Sequence, residues 1–159
     1  MNLKQIICSP KSDIKIGEWR KGLIPRADFP LSRAKPKDYK VSDAYDWCII
    51  RFSCLGLDCR VRVLLREGRE IFYATLGVVE GGDTKIVCSY EFHGTEPGWH
   101  CHVKCDELAN VRPGQNRYGA VRLPNGRRKH RRDSFGVSKT NAKHKAIDFY
   151  RIEERGGLL

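Results

Sequence analysis

Five segments of alternating apolar and polar residues, separated by very short breaks, constrain the fold of this chain most strongly. The breaks, such as Leu55-Gly56 and Gly81-Gly82-Asp83, have the length and composition of hairpin turns. Strands joined by such short turns are antiparallel neighbours, so the middle of the chain predicts a five-stranded antiparallel meander. The segments span residues 44–54, 57–67, 69–79, 83–92 and 98–105.

The two faces of the predicted sheet differ in chemistry. In the second segment, Cys59 and Val61 share one face, while Arg60 and Arg62 share the other. The fifth segment has an apolar set of Trp99, Cys101, Val103 and Cys105, and a polar set of His100, His102 and Lys104. One face is therefore predicted to build the core, and the other to carry the polar groups.

The segments on either side of the predicted sheet are of other kinds. Four of the seven prolines lie within residues 8–40, which blocks long helices and central strands, so residues 1–40 predict a basic, extended arm. Residues 106–137 predict a long basic loop, with a short hairpin around Asn125-Gly126.

A helical apolar period over residues 139–155 predicts a C-terminal helix with Ser138 as its N-cap. The chain is thus predicted to be α+β. A proline-rich N-terminal arm precedes a single domain over residues 41–159, in which an antiparallel sheet of about five strands packs against the C-terminal helix.

Positive charge is concentrated at the two ends of the chain. The net charge of +11 divides into +6 over residues 1–40, −4 over residues 41–111 and +9 over residues 112–159. A basic excess outside the strands indicates an anionic partner that contains phosphate, which means nucleic acid or a nucleotide. No stretch approaches the roughly 20 apolar residues of a transmembrane helix, so we expect no membrane partner.

The cysteines and the first residues of the chain indicate the cellular compartment in which the protein is expected. The seven cysteines include no C-x-x-C pair, which favours reduced thiols over a disulfide framework. The first residues also lack the apolar core of a signal peptide, so we expect a cytoplasmic protein. The oligomeric state is left open.

A dense run of cations follows the last predicted strand. Arginine grips phosphate in a bidentate manner, and the two aromatic rings within the run are suited to stacking on bases. The loop is therefore predicted to bind phosphate or nucleic acid, the alternative being a solvated loop without a fixed ligand. The predicted contact residues are Arg112, Arg117, Tyr118, Arg122, Arg127, Arg128, Lys129, His130, Arg131 and Arg132.

Three of the five histidines, His93, His100 and His102, lie within ten residues of one another. Residues i and i+2 of a strand project from the same face, so His100 and His102 are expected side by side. If the fourth and fifth segments pair as a simple hairpin, Glu91 lies near His100 and Ser89 lies near His102.

The first interpretation of this cluster is catalysis without a metal or other cofactor. His100 and His102 would share general acid and base roles, with Glu91 and His93 assisting and Lys104 stabilising phosphate beside the loop arginines. This predicts a small metal-independent nuclease or phosphodiesterase that acts on RNA or on a nucleotide messenger.

Two alternatives stay open. In the first, the histidines are structural and the chain is a non-catalytic module that binds nucleic acid or a nucleotide. In the second, His93, His100 and His102 bind a metal ion through their neutral imidazoles.

The spacing Gly94-x5-His100-x-His102-x4-Glu107-x6-Gly114 resembles the first metal motif of the cupin family. The resemblance implies that His100, His102 and Glu107 ligate a metal inside a small β-barrel. A looser form of the second cupin motif follows so closely that no room is left for the strands that separate the two motifs in that family. The chain is therefore not assigned to a family.

Overall fold

The computed structural model describes residues 1–94, 96–115, 118–124 and 134–153. Within these ranges there are two α-helices, and no helix there is long and apolar enough to cross a membrane. The helices are α1 (Leu3–Cys8) and α2 (Ala142–Tyr150). The strands are β1 (Ser12–Ile16), β2 (Arg20–Lys21), β3 (Leu23–Ile24), β4 (Tyr39–Lys40), β5 (Asp46–Cys54), β6 (Leu57–Arg66), β7 (Ile71–Glu80), β8 (Asp83–His93), β9 (Glu96–Lys104) and β10 (Ala120–Leu123).

The predicted central meander is confirmed as strands β5 to β9, which pair in sequence and in antiparallel fashion. The turn between β5 and β6 places both Leu55 and Gly56 at positive φ, 54° and 75°. Two consecutive residues at positive φ make the turn whose twist matches that of the flanking strands. An antiparallel sheet with one C-terminal helix is therefore the correct architecture.

The prediction of about five strands is wrong, because the main sheet has eight strands among the described residues. Two of the additional strands come from the predicted arm: β1 and β2 both pair with β5, in the registers Ser12↔Ser53 and Arg20↔Trp47. The prolines exclude central strands, but they do not prevent short strands at the edge of a sheet.

The third additional strand, β10, interrupts the segment that was predicted to be a loop. It pairs with the free edge of β9, and this places Arg122 directly opposite His102. Four residues are too few to reveal a strand by alternation alone, and the pairing satisfies backbone groups of β9 that would otherwise face solvent. The predicted hairpin at residues 125–126 lies outside the described residues.

The C-terminal helix is shorter than the predicted range 139–155. Ser138 is not its N-cap, because a turn comes first: the Ser138 carbonyl accepts hydrogen bonds from the N–H groups of Asn141 and Ala142. The helix ends where Arg151 adopts a left-handed conformation and the Ile152 N–H reaches back to the Ile147 carbonyl. Residues 154 and 155 lie outside the described residues.

The two faces of the main sheet are covered by different parts of the chain. Both helices contribute to the core on one face, where Ile6 of α1 and Tyr150 of α2 are buried. On the other face, the arm and the small β3–β4 sheet cover β5 and β6 through a second cluster around Phe29 and Trp47. The remaining part of this second face, over β7 to β9, carries the polar groups.

Candidate functional site

The hairpin of β8 and β9 brings the acidic and histidine residues together. Glu91 lies directly opposite His100, and Ser89 lies directly opposite His102, which confirms the register expected for a simple hairpin. His93 follows Glu91 by two residues and therefore projects from the same face of the sheet.

One carboxylate oxygen is the centre of the cluster. Glu91 Oε2 lies 3.2 Å from His93 Nε2, 3.4 Å from His100 Nε2 and 3.6 Å from His102 Nε2. Glu91 and His100 are only 1% and 2% exposed. The ligand atoms of Glu91, His100 and His102 all lie within 4.8 Å of one another.

The imidazole rings are held in defined orientations. His100 Nδ1 donates to the Gly98 carbonyl at 3.1 Å, which directs Nε2 at Glu91. Burial acts to lower the pKa of His100, but the hydrogen bonds to Glu91 and to Gly98 raise this pKa above its usual value. His93 stacks on Tyr73, with ring centroids 5.6 Å apart. The carboxylate and these contacts favour a positive charge at the centre of the cluster.

Two of these separations match those between the ligands of a metal ion. Ligand atoms at 2.0–2.2 Å from a tetrahedral zinc ion are about 3.3–3.6 Å apart from one another. The separations of 3.4 and 3.6 Å between Glu91 and the two strand β9 histidines fall in that interval. A histidine that donates its second nitrogen to a backbone carbonyl, as His100 does, is the usual arrangement of a metal ligand.

The carboxylate of this cluster differs from the one that the cupin resemblance implies. Glu107 lies after β9 and is bonded to the amino group of Met1 and, at 3.5 Å, to Asn2 Nδ2. The cross-strand partner Glu91 occupies the position next to the two histidines. The predicted metal ligands were His93, His100 and His102. In the structure the three residues whose ligand atoms lie close to one another are Glu91, His100 and His102. His93 contacts the Glu91 carboxylate instead.

A cavity of about 210 Å³ adjoins the cluster on the same face of the sheet. Glu91 and His102 line it, and its apolar walls include Leu64 and Tyr73. The other polar side chains that line it are Arg62, Thr75, Ser89, Lys104 and Gln115. The cluster therefore borders a space in which a small molecule can be bound.

One row of residues runs across the sheet beneath this cavity. The registers place Arg62 opposite Thr75, Thr75 opposite Ser89, and Ser89 opposite His102. The hydroxyl oxygens of Thr75 and Ser89 are 3.1 Å apart. Neither Arg62 nor Thr75 was predicted to belong to the site. Alternation put Arg62 on the polar face, but only the combined register of three hairpins brings it to the same cavity as His102.

Of the predicted phosphate-binding cations that the structure describes, Lys104 lines the cavity, whereas Arg112 and Arg122 do not. Lys104 is 6% exposed and donates to the Tyr118 carbonyl at 2.7 Å. Burial, and after it the nearby Arg112, lowers the pKa of Lys104 below its usual value. Arg112 is exposed and its guanidinium lies 4.6 Å from the centre of the Tyr118 ring, while Arg122 projects from β10.

The remaining predicted contacts stay predictions. Seven of them lie outside the described residues: Arg117, Arg127, Arg128, Lys129, His130, Arg131 and Arg132.

Comparison of the chain with protein-family models, with curated proteins and with solved structures finds no match.

Proposed function

We propose that Glu91, His100 and His102 bind a divalent transition metal ion that hydrolyses a phosphoester substrate, nucleic acid or a nucleotide. The observation that carries this proposal is the convergence of three imidazole nitrogens on one carboxylate oxygen, at 3.2–3.6 Å. Two histidines and one carboxylate are the ligand set of many catalytic zinc and non-haem iron sites, which keep at least one coordination position open.

The position of the cavity supports a catalytic rather than a purely structural metal. Glu91 and His102 line the cavity, so a ligand on the open side of the metal would lie within it. A metal of this kind lowers the pKa of a bound water towards neutrality and so supplies a nucleophile for hydrolysis. Lys104 and Arg62 line the same cavity and would neutralise charge on a bound phosphate.

His93 serves this centre as a positioning residue. It contacts Glu91 Oε2 at 3.2 Å, and its ring is fixed by stacking on Tyr73 and by an edge contact with His100 at 4.9 Å. Outer contacts of this kind hold a carboxylate ligand in one orientation, and their loss weakens metal binding by about 10- to 100-fold.

The metal-independent mechanism competes with this proposal and is less well supported. It needs His100 and His102 as free acid and base in contact with substrate. His100 is 2% exposed, its ring nitrogens face Gly98 and Glu91, and it does not line the cavity. This environment suits a metal ligand, which needs no contact with substrate.

The test is cleavage of labelled RNA and of cyclic nucleotides before and after treatment with EDTA. We expect EDTA to abolish cleavage and added Zn²⁺ or Mn²⁺ to restore it. His102→Ala is expected to reduce cleavage by at least about 100-fold. The control His144→Ala alters an exposed histidine of α2 and should leave the rate unchanged.

Two outcomes would overturn the proposal. Cleavage that survives EDTA but not His102→Ala would support the metal-independent mechanism instead. Binding of RNA or nucleotide without cleavage, in the wild-type protein and in both variants, would support the non-catalytic module.

A further inference from the structure

We infer that Arg62 is the anion-binding residue of the cavity, and that it grips a phosphate or carboxylate group of a small-molecule ligand. Only one part of the inference rests on the proposed function, namely that this ligand is the substrate of the metal centre. It narrows the substrate from nucleic acid in general to a small anionic molecule, such as a nucleotide, that enters the cavity as a whole.

The described residues around Arg62 provide no counter-ion for its charge. Its side chain lines the cavity, yet the residue is only 4% exposed. Nη1 donates to the Tyr39 hydroxyl at 3.2 Å, and the guanidinium lies 5.2 Å from the centre of the Phe29 ring. Among the described residues, no carboxylate lies within ion-pairing distance of Arg62, and its buried Nε has no hydrogen-bond partner.

Two neighbouring arginines on the same face of the sheet, Arg51 and Arg60, are paired with carboxylates. Arg51 pairs with Asp28 at 2.6 Å, and Arg60 pairs with Asp58 at 2.9 Å. Of these three arginines, Arg62 alone has no carboxylate within ion-pairing distance in the described part of the chain, and it is the one that lines the cavity.

A buried charge without a counter-ion is costly, and folded proteins seldom contain one. Arginine cannot escape this cost by losing its proton, because it remains charged at all ordinary pH values. An apolar residue of similar size would pack between Phe29 and Tyr39 without the cost. The counter-ion is therefore expected from a ligand, and the planar fork of the guanidinium fits the paired oxygens of a phosphate or carboxylate.

The size of the cavity limits the ligand. At the usual strand spacing, Arg62 and His102 lie about 14 Å apart along the row that joins them, measured between their Cα atoms. The hydroxyls of Thr75 and Ser89 lie between them and can bond to the middle of a ligand. The volume of about 210 Å³ is below the range of roughly 300–1,000 Å³ that is common for sites of drug-sized ligands. A small molecule fits this space, whereas a nucleic-acid duplex does not.

The test is calorimetric titration of the protein with inorganic phosphate and, separately, with acetate. We compare Arg62→Met with Arg66→Met, which alters an arginine on the same face of the same strand that lies over Tyr45 and does not line the cavity. Arg62→Met should weaken binding of the preferred anion by about 10- to 100-fold, and Arg66→Met should change it by less than about twofold. Whichever anion binds more tightly identifies the group that Arg62 receives.

A structural role for Arg62 predicts a different result. If the residue serves only to pack between two rings, Arg62→Met lowers the melting temperature and leaves anion binding intact, which would overturn the inference. If Arg62 is a ligand-binding residue, Arg62→Met keeps or raises the melting temperature while anion binding is lost.

The zinc content of two variants separates this inference from the proposed function. Arg62→Met should hold as much zinc as the wild-type protein, and His102→Ala should lose zinc but still bind the anion through Arg62.

Anion binding that is lost in His102→Ala and kept in Arg62→Met would place the anion on the metal and overturn the inference alone. Anion binding that depends on Arg62 in a protein that holds no metal would overturn the proposed function alone.

Discussion

At the scale of single residues, Glu91 determines the character of the site. It lies near the end of β8 with an exposure of 1%, between Tyr90 and Phe92, which project into the core on the opposite face. A buried carboxylate is costly unless it is hydrogen-bonded or paired with a cation. The three histidines around it meet this need, and a metal ion among them would meet it more completely.

Tyr150 gives a prediction on the other face of the sheet. Its hydroxyl is buried and donates to the Ala74 carbonyl of β7 at 2.6 Å, so it attaches α2 to the sheet. Tyr150→Phe leaves that carbonyl without this donor, and should lower the free energy of unfolding by about 1–2 kcal/mol in urea denaturation. The control is Tyr45→Phe, because the Tyr45 hydroxyl makes no hydrogen bond among the described residues. Equal stability of both variants would contradict the assigned role.

At the scale of elements, the sheet is specified by its hairpin turns, since the turns set the register that brings the site together. The β5–β6 turn uses Leu55, a residue that is 45% exposed, at a φ of 54°. A left-handed conformation costs an L-residue other than glycine about 1–2 kcal/mol, although asparagine tolerates it. The β5–β6 turn is therefore less stable with leucine at position 55 than with a residue that tolerates positive φ.

Leu55→Asn is expected to stabilise the protein. The change converts the turn to Asn-Gly, the preferred pair for two residues at positive φ, and should raise the free energy of unfolding by about 0.5–1 kcal/mol. Leu55→Ala is the matched control, because it removes the same exposed side chain but keeps the unfavourable backbone conformation. A urea midpoint that rises equally in both variants would assign the gain to the lost side chain.

Asp46 connects three elements and gives a prediction with pH. Its carboxylate pairs with Lys21 of β2 at 3.0 Å and with Lys139, ahead of α2, at 3.2 Å. Burial acts to raise the pKa of Asp46, but these ion pairs lower it below its usual value. A carboxyl whose pKa is depressed by folding stabilises the protein above its unfolded pKa of about 3.9, and this contribution is lost as the pH falls through the folded pKa.

The corresponding test compares Asp46→Asn with the wild-type protein by urea denaturation at several pH values. At pH 7 the variant should be less stable by up to about 1 kcal/mol, and at about pH 2 the two proteins should be equally stable. Asp43→Asn is the control, since the Asp43 side chain is 76% exposed and its ion pair with Lys40 lies at the surface. A deficit that persists in acid would show that Asp46 acts through packing.

Local sequence patterns predicted the part of the site that is close in sequence. His100 and His102 share a face by alternation, and the short connection between β8 and β9 was sufficient to place Glu91 opposite His100. Arg62 was not recognised, because its approach to the same cavity depends on register across β6 to β9. β10 was missed because it has only four residues, too few to show a strand pattern, and because it forms by pairing with the free edge of β9.

At the scale of the whole molecule, the acidic middle of the chain folds into the sheet, and the described parts of the two basic ends lie beside it. The arm covers one half of the polar face of the sheet, while Lys104, Arg112 and Arg122 lie at or near the other half. If the proposed function holds, the net charge of +11 would attract phosphate compounds, and the cavity would select which of them is held.

Salt should distinguish these two contributions. If about five phosphates of a single-stranded RNA contact surface cations, raising NaCl from 50 to 200 mM weakens RNA binding by about 100-fold. Binding of inorganic phosphate at the buried Arg62 should change much less, because buried charges are screened less. Fluorescence anisotropy with labelled RNA measures the first effect and calorimetry the second. A flat response for RNA would contradict a polyanion-binding surface.

The metal content of the purified protein tests the central claim most directly. After equilibrium dialysis against Zn²⁺, atomic emission should find one zinc ion per chain in the wild-type protein. Glu91→Gln should hold less than about 0.1 zinc per chain, because it keeps the shape of the ligand and removes its charge. The control Glu80→Gln, which alters a half-exposed carboxylate paired with Lys85, should retain one. Wild-type protein without stoichiometric metal, or Glu91→Gln with a full zinc content, would contradict the account.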